Sequence, residues 1–176
     1  VLMRGPHVFL GYFKNEEATR ETLDDEGWIH SGDIGEIDGD GFLKITDRKK
    51  ELIITSGGKN IAPAIIESKL RQIPAVSQAV VIGDRRNYLV ALVTLDPTRA
   101  ADQGKAANSP ATTPADLSTC SVFRQYLEKQ IEGVNTTLAR SEQIKKFVIL
   151  PRELSIDEGE LTPTMKLKRR VVNQKF

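Results

Sequence analysis

The chain has 176 residues and a net charge of +1, with 39% hydrophobic and 28% charged residues. That is enough apolar material to bury a core and exclude wholesale disorder. No apolar run approaches the roughly 20 residues of a membrane span, and no signal-peptide pattern opens the chain. A lone Cys120, with only His7 and His30 for histidines, excludes a disulfide framework and a cysteine- or histidine-rich metal centre. The length predicts one domain plus a remnant of another. Val1 to Pro6 read as mid-domain sequence, so the start is expected to be a cut. Charge is lopsided: residues 1–50 carry a net −4 and residues 51–176 a net +5, with five Lys/Arg and no acid from Thr162 to Phe176.

In chain order, Leu2–Arg4, Trp28–His30, Gly35–Ile37 and Phe42–Ile45 read as short strands, with a helix over Glu16–Leu23. Asp38-Gly39-Asp40-Gly41 reads as a hairpin turn, since Asp-Gly supplies positive φ. Leu52–Thr55 is a β-like run leading into Ser56-Gly57-Gly58-Lys59-Asn60. Pro63 suits the first residue of a helix, in which Ala62, Ile65, Ile66, Leu70 and Ile73 recur at helical spacing and Glu67 can pair with Arg71. Val76–Ile82 and Tyr88–Leu95 are β-rich runs joined by five residues, as suits antiparallel neighbours. From Thr98 to Ser121 the sequence is rich in Ala, Ser, Thr and Pro, with Leu117 its one large aliphatic residue. It reads as a surface insertion, mobile at least in part, that adds little to the core. Phe123, Leu127, Ile131, Val134 and Leu138 mark one helix face. Ile144–Leu150 reads as a strand, and Leu167, Val171 and Val172 among basic residues as a short terminal helix. No internal repeat is present.

The motifs have bland competitors. Ser56 to Asn60 fails as a Walker A loop, because Ile53 and Asn60 stand where Gly and Ser/Thr are required. It survives as a Gly-Gly loop able to bring backbone close to a ligand. Asp38-Gly39-Asp40 fails as a calcium loop, because Phe42 and Lys49 occupy ligand positions. Lys166 to Arg170 reads as a basic helix face, and without interleaved aromatics it is a poor nucleic-acid surface.

Taken together, three segments in order resemble those of the adenylate-forming acyl-CoA synthetases. They are Gly27-Trp28-Ile29-His30-Ser31-Gly32-Asp33 with Gly41-Phe42-Leu43; Asp47-Arg48-Lys49-Lys50-Glu51-Leu52-Ile53 with Gly57-Gly58-Lys59-Asn60-Ile61 and Glu67; and Leu161-Thr162-Pro163-Thr164-Met165-Lys166. Gly11-Tyr12-Phe13 with Thr19 resembles an upstream segment. Within that superfamily the chain looks most like bacterial long-chain fatty-acid–CoA ligases. Other adenylate-forming ligases (aryl-CoA ligases, adenylation domains) and a non-catalytic nucleotide- or CoA-binding module are the alternatives.

The resemblance implies an α+β fold: residues 1–49 as the β-rich end of a large N-terminal domain, and 50–176 as a mobile C-terminal domain. The latter is expected to hold a small antiparallel sheet of Leu52–Thr55, Val76–Ile82, Tyr88–Leu95 and Ile144–Leu150, with a flexible insertion at about 98–121. It implies activation of a fatty acid by ATP to acyl-AMP, then transfer to coenzyme A. The missing N-terminal domain would hold most of the ATP and Mg2+, so this piece alone is expected to be inactive. By the same resemblance Asp33 binds ribose hydroxyls, Arg48 contacts ribose and phosphate, and Lys50 is the hinge. Gly57, Gly58, Lys59 and Asn60 line the CoA passage. Lys166 bridges carboxylate and α-phosphate during adenylation, with Lys168 as the fallback. Met165 departs from the Gly that much of the family has there. No metal is assigned to these residues. The partners implied are fatty acid, ATP, CoA and the N-terminal domain, with no nucleic acid and no transmembrane segment. The compartment expected is the cytoplasm, with peripheral membrane contact left open.

Overall fold

The computed structural model describes all of residues 1–176. The chain resolves into two compact units, Val1–Leu52 and Ile53–Phe176.

In the first unit, strand β1 (Leu2–Met3) pairs antiparallel with β2 (Ile29–His30). Helix α1 (Glu16–Thr22) lies between them in sequence. The Asn15 side chain caps it by accepting the Ala18 N–H at 3.0 Å, and Glu16 and Glu17 suit the positive end of its dipole. β3 (Asp33–Ile37) and β4 (Leu43–Arg48) form the expected hairpin. Asp38 Oδ1 accepts the N–H groups of Asp40 and Phe42, and Gly41 takes the left-handed conformation at φ 87°. A 3-10 turn, Lys49–Glu51, follows. No hydrophobic side chain of this unit is fully buried, and Ile37, Phe42, Leu43 and Ile45 on the hairpin are exposed.

The second unit opens with a ribbon of β5 (Ile53–Ile54) and β6 (Asn60–Ile61), then α2 (Pro63–Leu70), with Pro63 in its first turn. Its sheet has the order β7 (Val76–Ile82), β8 (Leu89–Leu95), β9 (Ile144–Ile149). Leu52–Thr55 is not a strand of that sheet. β7 and β8 are antiparallel, but β9 runs parallel to β8, which corrects the all-antiparallel expectation for this sheet within the α+β class. A parallel neighbour needs a crossover of a dozen or more residues, and the helices between β8 and β9 supply it. β8 is buried on both faces. Leu89, Ala91, Val93 and Leu95 join the main core with α2 and α5 (Ser121–Asn135), whereas Leu92 joins a second cluster with Val80, Leu150, Leu154, Leu161 and Val172. Val172 belongs to α6 (Arg169–Lys175). No helix is long and apolar enough to cross a membrane.

Residues 98–121 correct the expectation that this segment adds little to the core. They form α3 (Ala100–Ala106) and α4 (Pro114–Thr119), and Ala100 and Leu117 are wholly buried in the main core. Local chemistry explains the order. The Thr113 hydroxyl accepts the Asp116 N–H at 3.2 Å ahead of Pro114 in the first turn, which is an N-cap. A Cβ on Gly104 would lie 3.0 Å from the Ala111 carbonyl oxygen and 3.2 Å from Leu117, so the absent side chain lets α3 close on α4. Small residues here signal tight packing. Truncating Leu117 to Ala should lower stability by about 2–5 kcal/mol, read from urea unfolding. A mobile insertion would lose almost nothing.

Candidate functional site

In the first unit, cross-strand pairing puts Asp33 opposite Arg48. Arg48 Nε donates to Asp33 Oδ1 at 3.0 Å, with the guanidinium side chain 67% exposed. The Asp33 N–H is held by Ser31 Oγ at 3.0 Å, and the Arg48 N–H donates to the carboxylate of buried Asp47. A carboxylate able to accept two hydrogen bonds thus stands beside an outward-facing donor fork. Lys50 is exposed within the 3-10 turn that ends one residue before the last residue of the unit.

In the second unit, Thr55 to Lys59 turns between β5 and β6. The Gly58 N–H donates to the Thr55 carbonyl at 2.9 Å, the Thr55 N–H to the Lys59 carbonyl at 3.0 Å, and the Lys59 N–H to Thr55 Oγ1 at 3.2 Å. Gly58 sits at φ 72°, a region glycine enters without steric cost. Gly57, Gly58, Lys59 and Asn60 are all exposed.

Lys166 occupies a second tight hairpin. Leu161 bridges Leu167, the Thr162 N–H donates to the Lys166 carbonyl at 2.8 Å, and the Met165 N–H donates to the Thr162 carbonyl at 2.8 Å. The Lys166 N–H is held by Thr162 Oγ1 at 3.0 Å. Pro163 stands at the first central position of this turn, where its fixed φ is suited. Met165 at φ 60° is in the left-handed region. Met165 therefore stands where the backbone favours glycine, the residue that the resemblance led one to expect. Met165 lines a cleft of about 210 Å3 with Leu154, Leu161 and Leu167. Lys168 donates its N–H to the Glu160 carbonyl, continuing the ladder, and begins α6 as its N-cap residue.

Two carboxylates anchor this segment. Glu160 is wholly buried. Arg152 grips it through two bonds of 2.8 and 2.9 Å, the Ser155 N–H donates at 3.1 Å, and Lys175 Nζ lies at 3.3 Å. The Arg152 guanidinium bonds, ahead of the opposing effect of burial, hold its carboxyl at about 2. Glu67 accepts two bonds from Arg169, at 2.7 and 3.1 Å, and the Val81 N–H at 2.8 Å. The expected Glu67–Arg71 pair is thereby corrected: a carboxylate pointing inward meets Arg169, 102 residues away, while Arg71 shares only a backbone bond with Glu67. Sequence reasoning missed Arg152, Glu160, Arg169 and Lys175. A capping or i,i+4 pattern cannot reveal such distant partners. Only Glu160 beside the Leu161–Lys166 motif offered a signal.

A family model for the AMP-binding enzyme C-terminal domain matches residues 50–176. The chain belongs to this family. It is 47% identical, over its whole length, to a long-chain-fatty-acid–CoA ligase of Mycobacterium tuberculosis (FadD15), of which it covers 29%. It is 41% identical, again over its whole length, to a long-chain-fatty-acid–CoA ligase of Mus musculus (ACSBG2), covering 29% of that protein. The chain thus spans under a third of the length of these curated relatives. Among solved structures, the adenylation domain of a carboxylate reductase from Mycobacterium chelonae matches 95% of the chain and 24% of its own, with a TM-score of 0.76 and 24% identity. That likeness speaks for the fold alone.

The lysine hairpin and its anchor can each be tested by stability. Met165→Gly should raise the unfolding midpoint, because a left-handed non-glycine residue costs about 1–2 kcal/mol; a lowered midpoint in thermal unfolding would sink this account. Glu160 has a folded pKa below its ordinary 4.5, so its contribution is full above that value and is lost as pH falls toward about 2. Glu160→Gln should accordingly flatten the fall of Tm across that acid window.

Proposed function

We propose that the chain is the C-terminal part of a long-chain fatty-acid–CoA ligase that activates the acid with ATP and passes the acyl group to CoA. The observation carrying this is the 47% identity across the whole chain to a named ligase of that kind. In the first step a fatty-acid carboxylate oxygen attacks the α-phosphorus of ATP, forming acyl-adenylate as pyrophosphate leaves. In the second the thiol of CoA takes the acyl group and AMP leaves.

Residues 1–49 are read as the edge of the larger N-terminal domain, and 50–176 as the C-terminal domain. The lack of a fully buried apolar side chain before Ile53 supports the first half of that reading. Asp33 takes the nucleotide's ribose hydroxyls, and Arg48 offers its fork to ribose and phosphate. Lys50, in its short exposed turn, is the hinge whose backbone torsions change between two poses. Gly57 to Asn60 line the pantetheine passage, where the absence of side chains at Gly57 and Gly58 admits a narrow thiol arm.

Lys166 is the adenylation lysine. Two anions, carboxylate and α-phosphate, must meet, and a cation fixed between them offsets their repulsion as the transition state forms. The hairpin suits this role, because bonds to Thr162 fix the lysine backbone on both sides and little reorganisation is needed at the moment of reaction. No cluster of three or more His, Cys, Asp or Glu side chains suited to a metal ion occurs in the chain. The Mg2+ accompanying ATP is assigned no residue here, and no step is routed through one.

In the intact ligase, Lys166→Ala should slow acyl-adenylate formation by about 10²–10³-fold and leave conversion of supplied acyl-adenylate to thioester nearly unchanged. Single-turnover assays of each half-reaction measure this. An adenylation rate equal to wild type removes the lysine's role. Substantial fatty-acid-dependent AMP release by the 176-residue chain alone would remove the assignment to a larger protein.

A further inference from the structure

The two lysine-bearing loops of the second unit share one construction. Thr55-Ser56-Gly57-Gly58-Lys59 and Thr162-Pro163-Thr164-Met165-Lys166 begin on threonine and end on lysine. In each, the threonine N–H donates to the lysine carbonyl, its carbonyl accepts the N–H of the fourth residue, and its hydroxyl accepts the lysine N–H. The fourth residue is left-handed in both, at φ 72° and φ 60°. The flanking residues pair alike: Ile54 with Asn60, and Leu161 with Leu167. The sequences share only the two end residues, so no internal repeat is visible in the chain.

This construction has a chemical consequence. Both polar backbone groups of the lysine are occupied, and its side chain emerges exposed at the hairpin exit. Several other cations of the unit are engaged, with Lys69 on Thr137, Lys175 on Glu158 and Glu160, Arg152 on Glu160, and Arg169 on Glu67, while Lys168 and Arg170 share the unpaired state but lack the hairpin. Lys59 and Lys166 have no ion-pair partner among the unit's carboxylates. A cation held on a fixed backbone with a free ammonium group is matched to an incoming anion.

We propose that Lys59 holds a phosphate oxyanion during thioester formation, as Lys166 does during adenylation; the inference rests on that reading of Lys166. The thiol gives its proton to solvent and the sulfur attacks the acyl carbonyl carbon. A C–S bond forms, the bond from that carbon to the phosphate oxygen breaks, and AMP departs with the electron pair. The phosphate gains a negative charge in this step, and an ammonium group stabilises it most as the bond breaks. The phosphates of CoA are the second source of the same oxyanion chemistry.

The test uses the intact ligase, supplied acyl-adenylate, and two thiols: CoA, and pantetheine, which has no phosphate. Lys59→Met should slow thioester formation by about tenfold or more, with adenylation kept near wild type and Lys59→Arg restoring most of the loss. Loss with both thiols assigns the cation to the departing adenylate phosphate; loss with CoA alone assigns it to CoA's phosphates. Thr55→Val, which frees the lysine amide, should give a smaller loss in the same half-reaction. Unchanged thioester formation in Lys59→Met with both thiols overturns the proposal. Lys166→Met, assayed in parallel, separates the failures: if it spares adenylation, the underlying reading has failed instead.

Discussion

The contact on which the second unit most depends is the ion pair between Glu67 and Arg169. The two side chains are 7% and 16% exposed, so water screens them little and each needs the other. Glu67 also takes the Val81 N–H, and Arg169 reaches the Val81 carbonyl. A helix, a sheet strand and the start of α6 therefore meet at one carboxylate. The pair further offsets an unfavourable feature, since Arg169 and Arg170 open α6 at the positive end of its dipole. Removing one partner of such a buried pair typically costs about 3–5 kcal/mol, because the other charge is left uncompensated.

That contact has a positional effect. Glu67 lies on the helix that follows the Gly-Gly loop, and Arg169 lies three residues beyond Lys166. The Arg152–Glu160–Lys175 cluster secures the same segment from the other side, tying the residue before the lysine hairpin to the end of α6. The hairpin is thus bracketed by charge-assisted bonds on buried carboxylates, while its lysine stays in solvent. Rigidity is concentrated in the support, and the exposed lysine side chain is carried on a fixed backbone.

Much of this was legible from residue pattern. The helix face of Phe123, Leu127 and Ile131, the Asp38–Gly41 turn and the Pro63 helix start reflect local rules, and each appears where those rules put it. The Thr98–Ser121 segment was not legible, because a lack of large aliphatics reads as a lack of core. Ala100 and Leu117 bury completely there, since small neighbours such as Gly104 let helices approach. The direction of β9 was not legible either. A partly apolar strand such as Ile144–Ile149 looks the same whether its neighbour runs with it or against it.

By itself the sequence determined the family, through motifs whose order and spacing cover nearly the whole chain, and it singled out Asp33, Arg48, Lys50, Gly57 to Asn60 and Lys166. Only the tertiary structure decided that Glu67 meets Arg169 rather than Arg71, and that Glu160 is buried on Arg152. It alone put Met165 in a glycine-like backbone conformation and gave Lys59 and Lys166 the same hairpin. The physical reason is range. Turn, cap and periodicity rules act over a few residues and are written in the chain, whereas a buried charge takes whichever opposite charge the fold brings to it.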